Sequence, residues 1–171
     1  GIPRKIITIG TDAKKNLYVA ADNDVYFYRE GNFTPLQLHR RFPALKNAPI
    51  TEMKFVNNRL WLILNAAEIL LLDYEEDHLK GYIPFTKLFT GPGYLEEPRI
   101  IHQSDSNTVW MGSRSEGLLK VNLPAHSFEH SRSGSSENNL KSQFVLSFYT
   151  SRRHTTWIGL SGGGVAEYDP H

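Results

Sequence analysis

The chain of 171 residues contains no cysteine, two methionines and three tryptophans, and its formal net charge is only +1. Without cysteine there is no disulfide, no thiolate metal site and no cysteine nucleophile. The redox compartment stays open, because a Cys-free chain suits cytosol and periplasm alike. So small a net charge lacks the basic face by which proteins engage nucleic acid. The pairs Lys14-Lys15, Arg40-Arg41 and Arg152-Arg153 are short and scattered, which reads as solvated loop charge. The chain also lacks a starting methionine, a secretory signal and an apolar run long enough to span a bilayer. We read it as a piece of a longer polypeptide, touching a membrane only through that parent.

What is present is repetition. Asn107-Thr-Val-Trp110-Met-Gly112-Ser-Arg-Ser-Glu-Gly117-Leu-Leu-Lys-Val-Asn122 returns as His154-Thr-Thr-Trp157-Ile-Gly159-Leu-Ser-Gly-Gly-Gly164-Val-Ala-Glu-Tyr-Asp169. Upstream, Trp61 opens a third copy that closes on Asp73. Tyr18 anchors a fourth, more degenerate copy with one loop residue deleted. The anchors Tyr18, Trp61, Trp110 and Trp157 are 43, 49 and 47 residues apart. Strand-rich repeats of about 40 to 50 residues mark β-propellers, where each repeat is one supersecondary unit unable to bury its faces alone.

The fold class expected is all-β: a β-propeller fragment of about four four-stranded antiparallel blades, approximately residues 5–40, 50–86, 99–131 and 143–171. The last blade lacks its outer strand. The expected strands are Lys5 to Ile9, Leu17 to Ala20, Val25 to Tyr28 and Phe33 to Leu38 in the first blade. They are Ile50 to Val56, Leu60 to Leu64, Ile69 to Tyr74 and Leu79 to Phe85 in the second. The third has Arg99 to Gln103, Val109 to Gly112, Leu118 to Asn122 and Ser127 to His130; the fourth has Gln143 to Tyr149, Thr156 to Leu160 and Val165 to Tyr168. Runs such as Leu60-Trp-Leu-Ile-Leu64 are apolar throughout, as in strands covered on both faces. By propensity alone Asn65 to Asp73 resembles a helix start, and the repeat alignment overrules it. Gly117 and Gly164 are expected at positive φ, and Gly112 and Gly159 where a neighbouring element comes close.

Chemical motifs are few. His126 and His130 have the spacing of a helical zinc pair, but on an outer strand the same spacing separates them by about 13 Å, at roughly 3.3 Å per residue. Gly162-Gly-Gly164 precedes a strand and has no following Lys-Ser/Thr, so it reads as a turn and not a phosphate cradle. Asn32-Phe-Thr34 reads as a turn and strand start. No Gly-x-Ser-x-Gly elbow is present. We therefore expect no catalytic residue, metal or cofactor. Binding is expected on the loops that lead into each first strand and those joining second to third strands: Arg40, Arg41, Tyr94, Glu97, Arg99, Arg114 and Asn138. Aromatic rings stack on sugars while Arg and Asn offer planar hydrogen bonding, a mixture suited to an oligosaccharide, including an acidic one. The Ser-rich stretch Ser131 to Asn139 is expected to be a mobile surface loop.

The motifs Val-Trp110-Met-Gly112 with Gly117-Leu-Leu-Lys-Val-Asn122, and Thr-Trp157-Ile-Gly159 with Gly163-Gly164-Val165 and Tyr168-Asp169, resemble the two-component regulator propeller repeat. The family's turn before the Trp usually carries an Asp and a Gly, where this chain has Ser104-Asp-Ser-Asn107 and Ser151-Arg-Arg-His154. The resemblance implies a periplasmic, non-catalytic segment of a Bacteroidetes hybrid two-component sensor, responsive to glycans, whose parent carries a histidine kinase. Signalling would proceed through changed geometry of propellers or protomers. The alternatives are a protein-interaction scaffold and, further off, a propeller-fold polysaccharide lyase. Because an isolated fragment exposes blade faces, self-association is also expected.

Overall fold

The computed structural model describes residues 5–21, 23–45, 48–75, 78–134 and 139–169. Among them lie four antiparallel sheets, one per sequence repeat. The first comprises β1 (Ile6–Thr11), β2 (Leu17–Ala21), β3 (Asp24–Arg29) and β4 (Asn32–Pro35). The second holds β5 (Ile50–Val56), β6 (Arg59–Leu64), β7 (Glu68–Glu75) and β8 (His78–Pro84). In the third are β9 (Pro98–Gln103), β10 (Thr108–Ser113), β11 (Leu118–Asn122) and β12 (Ser127–Ser131). The fourth has three strands, β13 (Val145–Thr150), β14 (Thr156–Leu160) and β15 (Gly164–Tyr168). Each is a meander in chain order, as the repeats predict. The segment resembling a helix start is indeed strand β7.

The repeat is visible in the register. Trp110 faces His102 on one side and Lys120 on the other, while Trp157 faces Tyr149 and Glu167. Trp61 faces Lys54 and Leu71, and Tyr18 faces Gly10 and Phe27. The turn before the anchor repeats too: the N–H of Asp12, Ser104 and Ser151 donates to the carbonyl of Asn16, Thr108 and Thr155, respectively. Left-handed Lys15 and His154 close two of these turns, both at φ 67°. Positive φ comes cheaply only to glycine, so His154 occupies a strained position.

The chain divides into two compact units, residues 1–85 and 86–171. In the first, Tyr18, Ala20 and Val25 of one sheet pack against Met53, Leu60, Leu62, Leu70 and Leu72 of the next. Tyr18 lies 4.6 Å from the ring of Phe55. In the second unit Trp110 and Leu118 pack against Val145, Ile158 and Leu160, with Phe148 and Tyr168 at the margin. Each buried aliphatic side chain contributes about 1.5–3 kcal/mol relative to exposure, so these seams hold each pair of sheets together. Gly112 is required by the second seam. A Cβ there would sit 2.6 Å from Val145 Cγ1 and 2.9 Å from Ile100 Cγ2.

Four expectations need correction. The first outer strand ends at Pro35, and Leu38–Arg41 is a helical turn. The carboxylate of Asp24 accepts the N–H groups of Gln37 (2.9 Å) and Leu38 (3.1 Å), and Gln37 is left-handed at φ 57°, which diverts the chain from the sheet. A second helical turn, Phe85–Leu88, ends the second repeat's last strand at Pro84. Gly159 is not approached by another sheet: the closest atom to a Cβ there is Ser147 Oγ at 2.5 Å, on the paired strand. His126 precedes the outer strand, in a turn at φ 50°, and only His130 lies within it. By contrast Gly117 (φ 83°) and Gly164 (φ 71°) are left-handed as expected.

Candidate ligand site

Within each sheet the loop leading into the first strand and the turn joining the second to the third lie at one end, since Pro98 pairs with Ser113 and Val145 with Leu160. In the second unit this end is tightly knitted. Ser113, fully buried, donates from Oγ to the Glu96 carbonyl at 2.5 Å and accepts the N–H groups of Ser115 and Glu116, each at 3.0 Å. The Arg114 N–H donates to the Glu97 carbonyl (3.2 Å) and the Gly117 N–H to the Gln143 carbonyl (2.9 Å). A buried hydroxyl in such a turn is tolerated because its donor and both acceptor positions are used.

Two of the expected binding residues meet here. The guanidinium carbons of Arg99 and Arg114 lie 5.1 and 5.8 Å from the centroid of one ring, that of Phe144. Both arginines are exposed and Phe144 is half-buried. Cations at this range are drawn to the ring's negative face. Glu97 is exposed on the loop beside them at φ 47°, and Tyr94 is half-buried further back in the same loop. Sequence reasoning missed Phe144. The sequence places it inside a first strand from Gln143 to Tyr149, but that strand begins at Val145 and leaves Phe144 in the loop before it. It also missed the pair formed by Glu116 and Arg132 at 2.6 Å, with His130 Nε2 2.7 Å from the Glu116 carbonyl.

The other expected residues stand elsewhere. Arg40 and Arg41 belong to the first unit, on the helical turn Leu38–Arg41. Their Nη1 atoms lie 3.4 Å from Gln37 Oε1 and from the Leu79 carbonyl, respectively. Asn138 lies outside the described residues, as do residues 135–137 of the Ser-rich loop. Also in the first unit, an open depression of about 510 Å³ is bordered by Lys5, Ile7, Asn23, Pro49, Ile50 and Thr51, at the ends of β1 and β5. The two histidines with zinc-like spacing are engaged apart: His126 meets the Phe89 ring edge-on at 5.7 Å, and His130 is committed to Glu116. Among the described residues no three or more His, Asp or Glu are grouped to hold a metal ion.

The electrostatics of the opposite end are local. Asp105 feels partial burial, which pushes its carboxyl up. The N–H of Asn107 at 2.7 Å and hydrogen bonds from Thr108 and Ser104 outweigh that and hold it below the usual carboxylate value. This is an Asx turn of the kind the residues Ser104 to Asn107 suggest.

No protein-family model matches this chain, and no curated protein matches it in sequence. Solved structures do match its fold. The extracellular domain of BT4673, described as a one-component system protein of B. thetaiotaomicron, superposes with a TM-score of 0.71 at 14% identity, over 97% of this chain and 20% of that one. The extracellular domain of BT3049, described as a hybrid two-component system protein of the same organism, gives 0.54 at 12%, over 99% and 29%. YCF48 bound to a D1 peptide gives 0.66 at 12%, over 97% and 51%. This chain is an all-β propeller segment of four blades. Its fold is shared with extracellular domains of bacterial one- and two-component systems, and it spans about a fifth to a half of these three chains. No helix among the described residues is long and apolar enough to cross a membrane.

Proposed function

We propose that this propeller segment is a non-catalytic, periplasmic ligand-sensing part of a glycan-responsive one- or two-component signalling protein. The observation that carries the reading is the seating of Arg99 and Arg114 on the Phe144 ring, at the end of the sheets where loops converge. Guanidinium groups and aromatic faces are the side chains that hold sugar rings and their substituents. The fold likeness to extracellular signalling domains supports the setting. Calorimetric titration with an oligosaccharide panel tests it: saturable binding weakened by Phe144→Ala is the expected result. A panel without a binder, or a binder indifferent to Phe144, would overturn the reading. Catalysis is tested on the same panel, and product formation abolished by rim substitutions would replace sensing with lyase or hydrolase activity.

The second reading, an assembly surface, is favoured by a separate observation. One face of the last sheet is open and carries three exposed apolar side chains, Tyr149 64%, Trp157 39% and Val165 66%, with Glu167 and Ser147 among them. Exposed apolar surface of this kind drives association, and we propose a second copy of the chain as its occupant. Light scattering that shows a monodisperse monomer at high concentration would exclude it, and Trp157→Glu should shift any dimer to monomer.

A further inference from the structure

Resting on the sensing reading, we infer that Arg99 and Arg114 form the seat of an acidic group on the ligand, so that the segment selects carboxylated or sulfated saccharides over neutral ones.

The argument begins with what these arginines lack. Neither guanidinium makes a hydrogen bond or ion pair among the described residues; the ring contact they share is with Phe144. Elsewhere the chain does pair its arginines where an acid is at hand. Arg132 holds Glu116 at 2.6 Å and Arg59 holds Asp73 at 2.8 Å. Glu96 and Glu97 lie on the loop beside Arg99, yet neither comes within ion-pair distance of either arginine. Their backbone carbonyls are turned to the Ser113 hydroxyl and the Arg114 N–H instead. Two like charges therefore share one aromatic ring with no counter-charge bound to them. A ring quadrupole attracts each cation but neutralises neither.

The geometry then favours one kind of occupant. A guanidinium held over a ring by its charge spends none of its N–H groups on a hydrogen bond, and they form the planar fork that matches carboxylate and sulfate oxygens two at a time. The scaffold beneath is fixed by the Arg114 to Glu97 and Gly117 to Gln143 backbone bonds and by buried Ser113, so the arginines' backbone is placed before a ligand arrives. Such preorganisation lowers the ordering cost of binding. A neutral sugar offers these forks only uncharged hydroxyl acceptors, whose hydrogen bonds are weaker than those of an ionised group.

The test titrates the full chain with three probes: a neutral oligosaccharide, a uronate-bearing oligosaccharide of equal length, and its sulfated counterpart. A short poly-glutamate peptide serves as an acidic non-sugar. We expect an acidic saccharide to bind at least tenfold more tightly than the neutral one, an advantage that shrinks as salt is raised. Arg99→Gln and Arg114→Gln should each erase most of that advantage. Arg152→Gln, at an exposed loop arginine, should leave it intact. Arg114→Lys should recover only part, because the fork is lost while the charge stays. Equal affinity for neutral and acidic saccharides, or a preference that survives the double Gln variant, overturns the inference while leaving glycan sensing in place. Binding of poly-glutamate through these arginines without any saccharide binding upholds the anion seat and overturns the glycan reading. No binding of any acidic probe overturns the seat itself. Unchanged melting temperatures in the Gln variants confirm that folding is not what moved.

Discussion

Trp110 and Trp157 hold the same place in consecutive repeats, yet one is 3% exposed and the other 39%. Around Trp110 stand Phe148 at 6.3 Å, Tyr168 at 4.9 Å and the Ser104 hydroxyl, which accepts its indole N–H at 3.2 Å. Lys120 completes the wall, its ammonium 4.5 Å from the Tyr168 ring and donating to the Tyr168 hydroxyl. Ser151 stands six residues before Trp157 as Ser104 does before Trp110, but among the described residues it accepts no such bond. The motif therefore does not bury its own tryptophan. A blade supplies the ring, and the next blade supplies the cover, which is why repeat architectures are stabilised by neighbour interfaces as much as by the repeat.

The strongest way to break the comparison is to delete both rings. Trp110→Ala should cost about 3–5 kcal/mol, the range for emptying an aromatic core site. Trp157→Ala should cost less than about half of that, since much of its surface already meets water. Denaturant unfolding of the two variants decides the matter. Equal losses would mean that the open face is covered in solution, as self-association requires. Next come the glycines two residues on. Gly112→Ala drives a methyl into the branched carbon of Val145 and should cost about 1–3 kcal/mol. Gly159→Ala meets only the hydroxyl of exposed Ser147, which can rotate away, so the loss stays below about 1 kcal/mol. Identical midpoints for the two would contradict the asymmetry.

Smaller effects sharpen the same contrast in the turns. His154 is left-handed while Asn107, its counterpart, is not. His154→Gly should relieve roughly 1–2 kcal/mol of backbone strain, less the larger unfolded-state freedom of glycine, about 0.5–1 kcal/mol. A net gain of about 0–1.5 kcal/mol follows there, and none follows at Asn107; thermal melting of both variants reads this out. Smallest is the pH response. Folding lowers the pKa of Asp105, so its contribution is present above the unfolded value of about 3.9 and fades as pH falls towards the folded one. Between pH 5 and 3 the wild type should lose slightly more stability than Asp105→Asn. The fourth blade's turn, Ser151 to His154, carries no carboxylate to add to it. A steeper acid loss in the variant would reverse the sign and refute this account.

These contrasts also show why some of the molecule could be read from sequence. The anchors, their partners ten residues on and the apolar third strands repeat, so Ile50–Val56, Leu118–Asn122 and Thr156–Leu160 were legible to the residue. Whatever depends on one distant contact was not. The helical turn Leu38–Arg41 exists because Asp24, thirteen and fourteen residues before the N–H groups it accepts, bends the chain there. Arg99 and Arg114 could be named from their loops, but nothing periodic places Phe144 between strands so as to gather both. Scaffolding repeats because every blade solves the same packing problem; a binding surface need occur only once.

Gly117 has a further consequence. Its N–H is tied to Gln143 at the start of the next sheet, and the carbonyl of Ser131, at the end of its own outer strand, lies where a Cβ would be. The turn that carries Arg114 is thus held at two points, by the outer strand of its own blade and by the loop that leads into the first strand of the following one. A pull on that arginine cannot be absorbed by a loose loop; it loads two sheets at once, as a key wedged in a joint strains both boards.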